Sequence, residues 1–450
     1  MKPTLKIISC HPERMKFTKS SSDYHSVTMI LLFLTALLLV ALPLAQRPAF
    51  GANPPGVPTI NGLDSAGKAP VVARDWVPKL IPDPSATEPY RRAKRTCTGV
   101  ASMAITRGDR LWVAWYSGTT PGAKIETCPN AYVVVSTSAN GGATWKEVLV
   151  IDPDGAGPLK AMDPRPWIDP QGRLWILWHL TINGVSYKYQ FKKAWAITAD
   201  DSESDHPSWS VPRHIADGVM INKPVVLSGG DWLFAAHDRK TVDTGFLKAV
   251  VSEDRGRTFK VRGQVEVSHD VHAIEPMAVE RKDGSLWMLI RTGNAGDLET
   301  PQGIAESFST DRGSAWSPPK PSAIKHTASR FYIGRLQSGN LLLVKHSGIN
   351  VDLASVGKKQ RRELSAFISK DDGKTWSTGL VIDERIGCSY PDAQQGADGT
   401  IYLTWDFNRS KDQDILMTTF REEDVLTASD AATARVKSNR RLVSKGGTPP

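Results

Sequence analysis

A short sequence returns through this chain at a nearly constant spacing, and that repeat constrains the fold more than any other feature. Its copies span residues 138–145 (SANGGATW), 252–259 (SEDRGRTF), 309–316 (STDRGSAW) and 369–376 (SKDDGKTW), and a degenerate copy ends at Trp209. An Asp or Asn shortly before a Gly predicts a tight hairpin turn, in which the short side chain bonds backbone amides and the closing aromatic ring packs between sheets. We therefore expect a structural role for the repeat and no catalytic one.

A second signal has the same period and consists of short, alternating apolar strands. They cover residues 111–116, 174–179, 232–237, 286–291, 341–346 and 401–406. Six such units without a helical stretch predict an all-β fold, a six-bladed β-propeller of four-stranded blades, over residues 76–425. The last strand pair, near 401–420, would need a strand from residues 70–100 to complete its blade and close the ring.

The N-terminal region predicts export. Residues 29–45 are continuously apolar, follow a basic stretch, and precede the small-x-small sequence Ala49-Phe50-Gly51. This pattern is typical of a signal peptide within residues 1–51, so we expect a secreted or periplasmic protein. The apolar segment is also at the lower limit for crossing a bilayer, which leaves membrane attachment through residues 29–45 as the alternative.

The positive charge of the chain lies at its two ends. The net charge is +9, but residues 1–51 carry six Lys or Arg against two acids, and residues 431–450 carry five against none. Since 9 − 4 − 5 leaves about zero for the remainder, the folded part gives no support for nucleic-acid binding. Composition further predicts a flexible linker over 52–75 and a basic disordered tail over 430–450.

Three cysteines lie outside the leader, at Cys97, Cys128 and Cys388, and their spacing matches no zinc motif. We expect no metal and no cofactor. Cys97 and Cys128 flank one predicted strand hairpin, which allows a disulfide in an oxidising compartment; buried free thiols are the alternative.

The first strand of each blade should begin at one mouth of the central channel, so that residues from six blades converge there. Several of these strand starts carry a charge or a phenol where an apolar residue is expected. They predict a pocket containing Arg165, Lys223, Glu275, Arg330, Tyr390 and Asp392. For any single member, the alternative is a salt bridge between neighbouring blades.

Over residues 95–425 the chain resembles the sialidase (exo-α-neuraminidase) superfamily, whose repeat motif is the one given above. Glu275 and Arg291 lie 16 residues apart on one blade, residues 360–364 read QRREL, and residues 388–392 read CSYPD. The resemblance implies that Tyr390 is the nucleophile, that Glu275 activates it, and that Arg291 and Arg361 bind the carboxylate of the substrate.

The chemistry explains these residue types. Sialic acid carries its carboxylate on the anomeric carbon, where a carboxylate nucleophile would be repelled, and a neutral tyrosine beside a glutamate avoids this problem. The ordinary tyrosine pKa near 10 is too high without such a base. Arginines hold a carboxylate in a fixed plane through paired hydrogen bonds.

Two positions depart from the family. The family has an Arg-Ile-Pro motif that supplies the first arginine of the substrate-binding group, whereas residues 95–101 of this chain read RTCTGVA. Arg95 lies too early in the sequence to match that arginine. Arg165 or Arg330 would have to replace it. The loop that carries the family's acid/base aspartate offers Glu126 as the best substitute, because an amide at Asn130 cannot transfer a proton.

His269 and His272 lie just before Glu275, and we interpret them as surface or hydrogen-bonded residues rather than metal ligands.

The leading hypothesis for the function is a retaining exo-glycosidase that releases sialic acid from glycoconjugates. One alternative is hydrolysis or elimination on another acidic sugar such as a uronate. The other is a non-catalytic carbohydrate-binding propeller.

Overall fold

The computed structural model describes residues 77–446, except 156, 158, 183–191, 240–243, 269–272, 293–302 and 352–360. The proposed leader and linker, together with His269 and His272, therefore lie outside the described residues. No helix in the described part of the chain is long and apolar enough to cross a membrane.

Six antiparallel sheets follow one another along the chain, and each is a blade of the predicted six-bladed propeller. Blade 1 contains β1 (Lys79–Pro82), β2 (Cys97–Ile105), β3 (Leu111–Gly118), β4 (Tyr132–Ser138) and β5 (Lys146–Asp152). Blade 2 contains β6 (Leu159–Ile168), β7 (Leu174–Ile182), β8 (Lys193–Ala199) and β9 (Arg213–Asp217). Blade 3 contains β10 (Val225–Val226), β11 (Trp232–Arg239), β12 (Thr244–Ser252) and β13 (Lys260–Ser268).

The second half of the ring repeats this arrangement. Blade 4 contains β14 (Ile274–Glu280), β15 (Leu286–Arg291), β16 (Ile304–Ser309) and β17 (Lys320–Pro321). Blade 5 contains β18 (Tyr332–Arg335), β19 (Leu341–His346), β20 (Leu364–Ser369) and β21 (Leu380–Asp383). Blade 6 contains β22 (Cys388–Gln395), β23 (Ile401–Phe407), β24 (Asp414–Phe420), the helices α1 (Glu422–Thr427) and α2 (Asp430–Ser438), and β25 (Arg441–Lys445).

The six apolar strands identified from the sequence are the second strands of the six blades, and the repeats are turns between third and fourth strands. In the last copy, the Ser369 hydroxyl accepts a hydrogen bond from Gly373 N at 2.8 Å, and Asp371 accepts one from Thr375 N at 2.8 Å. A Cβ on Gly373, where φ is 89°, would collide with Trp287 of the preceding blade. The turn therefore joins neighbouring blades, which is the structural role expected for it.

The prediction for the end of the ring was wrong. Strand β25 completes blade 6, whereas the N-terminal β1 pairs with β5 as an additional outer strand of blade 1. The expected disordered tail is instead α2 and β25, with Ala432 and Val436 of α2 fully buried. The two helices occupy the place of a repeat turn, so the sequence period stops before the last strand.

Blade 1 and blade 6 are joined through carboxylates on the first two strands of blade 6. Asp406 of β23 accepts a hydrogen bond from Val100 N at 2.8 Å, and Asp392 of β22 accepts one from Met103 N at 2.9 Å. These contacts bring the start of β22, which carries Tyr390, against the first blade.

Candidate active site

The first strand of each blade is its inner strand, which lines the channel. In four of the six blades this strand contains a bulge close to the channel mouth. The ladder register shifts in β2, β6, β14 and β22, and in each case one residue in the bulge has a positive φ. These residues are Val100 (60°), Asp163 (49°), Glu275 (52°) and Tyr390 (55°). Such a conformation is uncommon outside glycine and is often found at functional sites, where a bulge changes the direction of a side chain.

Tyr390 and Glu275 meet across the channel. The Tyr390 hydroxyl donates a hydrogen bond to Glu275 Oε1 at 2.8 Å. Arg291 Nη1 lies 2.7 Å from the same oxygen and 2.8 Å from the Tyr390 hydroxyl. The structure thus brings together three residues that are far apart in the sequence and were assigned to one site from it.

The protonation states of this group follow from burial and charge. Burial raises the pKa of Tyr390, and Arg291 opposes that rise, so that the phenol is neutral at rest. Burial also raises the pKa of Glu275, but the charge and hydrogen bond of Arg291 outweigh it and leave the pKa below its ordinary value. Glu275 is therefore an ionised carboxylate positioned to take the phenolic proton.

Arg361 lies beside Arg291. Arg361 donates hydrogen bonds to the Ser389 hydroxyl at 2.9 Å and to the Ala328 carbonyl at 3.2 Å, and Arg291 donates to the same carbonyl at 3.3 Å. The Arg361 guanidinium also lies 5.4 Å from the ring centre of Tyr390. Within the described residues, no carboxylate hydrogen-bonds to Arg361, so the group retains a positive charge that an anionic ligand can neutralise.

A third arginine, Arg409, was not among the site residues predicted from the sequence. The guanidinium of Arg409 lies 4.1 Å from the ring centre of Tyr390, and two of its nitrogens donate to the Asp406 carboxylate at 2.8 Å each. A Cβ at Gly99 of blade 1 would come within 3.3 Å of Arg409 Nε. The absence of a side chain there leaves room for the guanidinium.

A positional signal in the sequence would have found Arg409. Arg291 ends the second strand of blade 4, Arg361 lies three residues before the third strand of blade 5, and Arg409 lies in the turn after the second strand of blade 6. Because the connections between second and third strands lie at the same mouth of the channel, arginines in three neighbouring blades converge there. The two replacements predicted from the sequence, Arg165 and Arg330, lie instead at the starts of the first strands.

Four of the predicted substrate-binding residues lie deeper in the channel and contact the protein itself. Asp392 lies 2.8 Å from Lys223 Nζ and 3.1 Å from Arg330 Nη2, and all three side chains are largely buried. Arg165 donates to the Ile221 and Pro164 carbonyls. The contacts of Asp392, Lys223 and Arg330 match the interblade salt-bridge alternative, whereas Arg165 bonds only backbone carbonyls. The substrate-binding group proposed below does not include these four residues.

Arg95 and Glu126 are each paired with another side chain. Arg95 donates two hydrogen bonds to Glu147, at 2.8 and 2.6 Å, and so does not supply the missing arginine of the site. Glu126 is 54% exposed at the rim, where its Oε1 accepts a hydrogen bond from Arg409 at 2.8 Å. Glu126 therefore pairs with an arginine that lies against the Tyr390 ring.

A cavity of about 400 Å³ lies at the other end of the inner strands and not at this cluster. Its lining includes Trp167, Tyr332 and Gln394, whereas Tyr390 and Arg291 do not contribute. The chemically distinctive residues therefore mark the opposite mouth as the candidate site. Within the described residues, no group of three His, Cys, Asp or Glu side chains is arranged to hold a metal ion.

The sequence profile of the BNR repeat-like domain matches residues 109–403, which is well over half of the chain. The chain belongs to this BNR repeat-like family. No curated protein matches it. The family assignment agrees with the repeat turns and with the predicted sialidase-like propeller.

Several solved structures resemble this BNR repeat-like propeller at low sequence identity. The Hadza microbial sialidase Hz136 is 16% identical, with a TM-score of 0.56, covering 73% of this chain and 66% of that one. The NanB sialidase from Streptococcus pneumoniae (K499G mutant) is 12% identical, with a TM-score of 0.57 and coverage of 74% and 69%. The intramolecular trans-sialidase from Ruminococcus gnavus is 14% identical, with a TM-score of 0.54 and coverage of 74% and 96%. These likenesses establish the fold.

Two thiols of the BNR repeat-like propeller lie in contact below the rim. Cys97 and Cys128 are both free and fully buried, and a Cβ on Gly118 would meet both sulfur atoms. The hydrogen bond from Cys97 lowers the pKa of Cys128. This favours the thiolate, which is the reactive form of a cysteine.

We expect hydrogen peroxide, an oxidant small enough to enter the folded protein, to convert this pair to a disulfide, with both thiol hydrogens and two electrons passing to the peroxide, which leaves as two molecules of water. Closing the loop from 97 to 128 should raise the free energy of unfolding by about 4 kcal/mol. Peptide mapping and urea unfolding of oxidised and reduced protein measure both effects, and Cys388→Ser is the control. Both thiols remaining open to alkylation after oxidation would contradict the prediction.

Proposed function

We propose that this propeller is a retaining exo-glycosidase that releases sialic acid, or a closely related sugar with a carboxylate on its anomeric carbon. The observation that carries the proposal is the contact between the Tyr390 hydroxyl and Glu275 Oε1 at 2.8 Å, within a group of three arginines. A neutral nucleophile beside a strongly cationic cluster suits a sugar whose reacting carbon carries a negative group.

In this proposal Arg291, Arg361 and Arg409 bind the substrate carboxylate. Arg291 and Arg409 are already paired with Glu275 and Asp406 respectively, whereas Arg361 contacts only neutral acceptors among the described residues. The substrate carboxylate would supply the missing negative charge. In a buried site such charge-assisted hydrogen bonds are stronger than neutral ones and fix the orientation of the sugar.

Tyr390 and Glu275 then perform the first covalent step. Glu275 accepts the phenolic proton as the tyrosine oxygen bonds to the anomeric carbon and the bond to the leaving group breaks. Since the pKa of Glu275 is held low by Arg291, the carboxylate is available as a base over the neutral and mildly acidic range. Two successive displacements at the same carbon give retention of configuration.

Hydrolysis of an aryl α-sialoside tests the proposal, because the released phenol is measured directly. We expect turnover with release of the α-anomer of sialic acid first, which NMR in D2O detects before mutarotation. Absence of turnover on sialosides, together with hydrolysis or cleavage of a uronate substrate, would move the assignment to that sugar. Binding of acidic sugars without any turnover would favour a recognition propeller.

Arg409 provides a specific prediction for the binding step. We expect Arg409→Lys to raise KM for the aryl sialoside by roughly 10- to 100-fold, because lysine cannot bond Asp406 with two nitrogens and also reach the substrate. Arg385→Lys is the matched control, since Arg385 also pairs with an aspartate on this part of the ring and lies 3.7 Å from the Phe407 ring centre. Equal KM values for the two variants would remove Arg409 from the binding group.

A further inference from the structure

Asp163 occupies on blade 2 the position that Glu275 occupies on blade 4 and Tyr390 on blade 6. Each of the three is a positive-φ residue in an inner-strand bulge, and each directly precedes a proline. Blades 2, 4 and 6 alternate around the ring, so their inner strands face one channel from three sides. The fold therefore directs Asp163 toward the same space as the Tyr390 and Glu275 pair.

The surroundings of Asp163 place it in electrostatic contact with the site. It is 8% exposed, and its Oδ2 lies 3.3 Å from His179 Nδ1. The titratable groups that act on it or respond to it are Lys160 and Arg165 on β6, His179 on β7, Tyr116 on β3, Glu275 on β14, Arg330 before β18 and Arg409 after β23. Glu275 and Arg409 belong to the candidate site itself.

The balance of these effects moves the titration of the Asp163 carboxyl into the mildly acidic range. Burial raises the pKa of Asp163 to about 6, with Glu275 adding to the rise and Arg165 opposing it. His179 contributes no positive charge near neutral pH, because burial lowers its pKa well below the ordinary value. A carboxyl with a pKa near 6 can donate a proton in mildly acidic solution and accept one again afterwards.

Glu126, which the sequence suggested for this role, is in a different state. Partial burial raises the pKa of Glu126, but the charge of Arg409 outweighs it and leaves the pKa below its ordinary value. The direct arginine contact favours the ionised form and so makes this carboxylate a poorer proton donor to a leaving group. Its position at the rim instead suits the orientation of Arg409.

We propose that Asp163 is the acid/base residue of the glycosidase reaction, an assignment that rests on the function proposed above. In the first step the Asp163 proton passes to the glycosidic oxygen as that bond breaks, while the tyrosine oxygen bonds to the anomeric carbon and its proton passes to Glu275. In the second step the bond between the anomeric carbon and Tyr390 breaks as a water oxygen bonds to that carbon. The water gives its proton to Asp163, and Glu275 returns the first proton to the phenol oxygen.

The test compares Asp163→Asn with Glu126→Gln on two sialosides that differ in their leaving group. An aryl leaving group departs as a stable phenolate without a proton, whereas a sugar leaving group needs one. We expect Asp163→Asn to lose on the order of 10²- to 10⁴-fold in kcat/KM on a sialyl-oligosaccharide and far less on the aryl sialoside. The fall of kcat/KM above pH 6 in the parent protein should disappear in Asp163→Asn and persist in Glu126→Gln.

The opposite pattern would overturn the assignment. That pattern is an equal loss of activity in Asp163→Asn on both sialosides with an unchanged pH profile, or a dependence on the leaving group in Glu126→Gln instead.

Added azide tests the second step in Asp163→Ala, because azide attacks the anomeric carbon without needing a base. Formation of sialyl azide with an increased rate is expected, and its absence in a folded variant would count against Asp163. Inactivity of the parent protein on both sialosides would refute the proposed function, a result distinct from these.

Discussion

Tyr390→Phe is expected to lower kcat for the aryl sialoside on the order of 10³-fold or more, because phenylalanine cannot form the covalent intermediate. Glu275→Gln should cause a loss of similar size, since the amide cannot take the phenolic proton over the 2.8 Å contact that joins the two side chains. In both variants KM should change much less than kcat. Steady-state rates with circular dichroism as a check on folding provide the measurement.

The matched control is Tyr402→Phe, which removes a hydroxyl from the same blade. Tyr402 lies on β23 and packs in the core cluster that contains Met103 and Trp115, away from Glu275. Its loss should leave kcat within about 2-fold of the parent value, the range typical of a surface change without a catalytic contact. Full activity of Tyr390→Phe would rule out the proposed nucleophile.

Asp392→Asn is expected to produce the largest loss of stability, about 3 to 5 kcal/mol, because it leaves two buried cations without their carboxylate. Asp392 is 1% exposed and contacts Lys223 of blade 3, Arg330 at the start of blade 5 and the Met103 amide of blade 1. The burial of Asp392 raises its pKa, but Lys223 and Arg330 outweigh that effect and hold the pKa low. The ionised Asp392 carboxylate therefore stabilises the fold in full above the ordinary aspartate pKa of about 3.9. This stabilisation is lost as the pH falls from there through the lowered pKa of the folded protein.

Urea unfolding at pH 7 measures this loss as a lower midpoint with an unchanged slope. Asp205→Asn is the control, because Asp205 pairs with Lys146 at 3.0 Å while both side chains are about half exposed. Solvent screens an exposed pair of this kind, so its loss should leave the midpoint close to that of the parent protein. Equal midpoints for the two variants would show that Asp392 does not hold the blades together.

The periodic part of the fold could be predicted from the sequence because each blade repeats the same local pattern. Residues 286–291 were identified as a strand from alternation alone, and β15 has those bounds. The final strand could not be predicted in this way, since α1 and α2 replace the repeat turn before β25. Counting basic residues near the C-terminus then suggested a tail, although Arg435 and Arg440 of that segment pair with Asp424 and Asp383.

The site could be predicted where a residue type is rare on an inner strand, as for Tyr390 and Glu275. The role of a charged residue could not be predicted where it depends on which side chains that residue contacts in the folded protein. Arg330 and Arg409 are both buried arginines next to an aspartate, but only the folded chain shows that Arg409 lies over the Tyr390 ring. Likewise, only the folded chain shows that Asp163 occupies the same bulge position as Glu275 and Tyr390.

The most direct test of this account is a crystal structure of the protein with a 2,3-unsaturated sialic acid, which mimics the planar transition state. We predict that its carboxylate will contact Arg291, Arg361 and Arg409, with the anomeric carbon facing the Tyr390 hydroxyl. A ligand bound at the opposite mouth of the channel, or with its carboxylate turned away from all three arginines, would contradict the proposal that this mouth is a glycosidase active site.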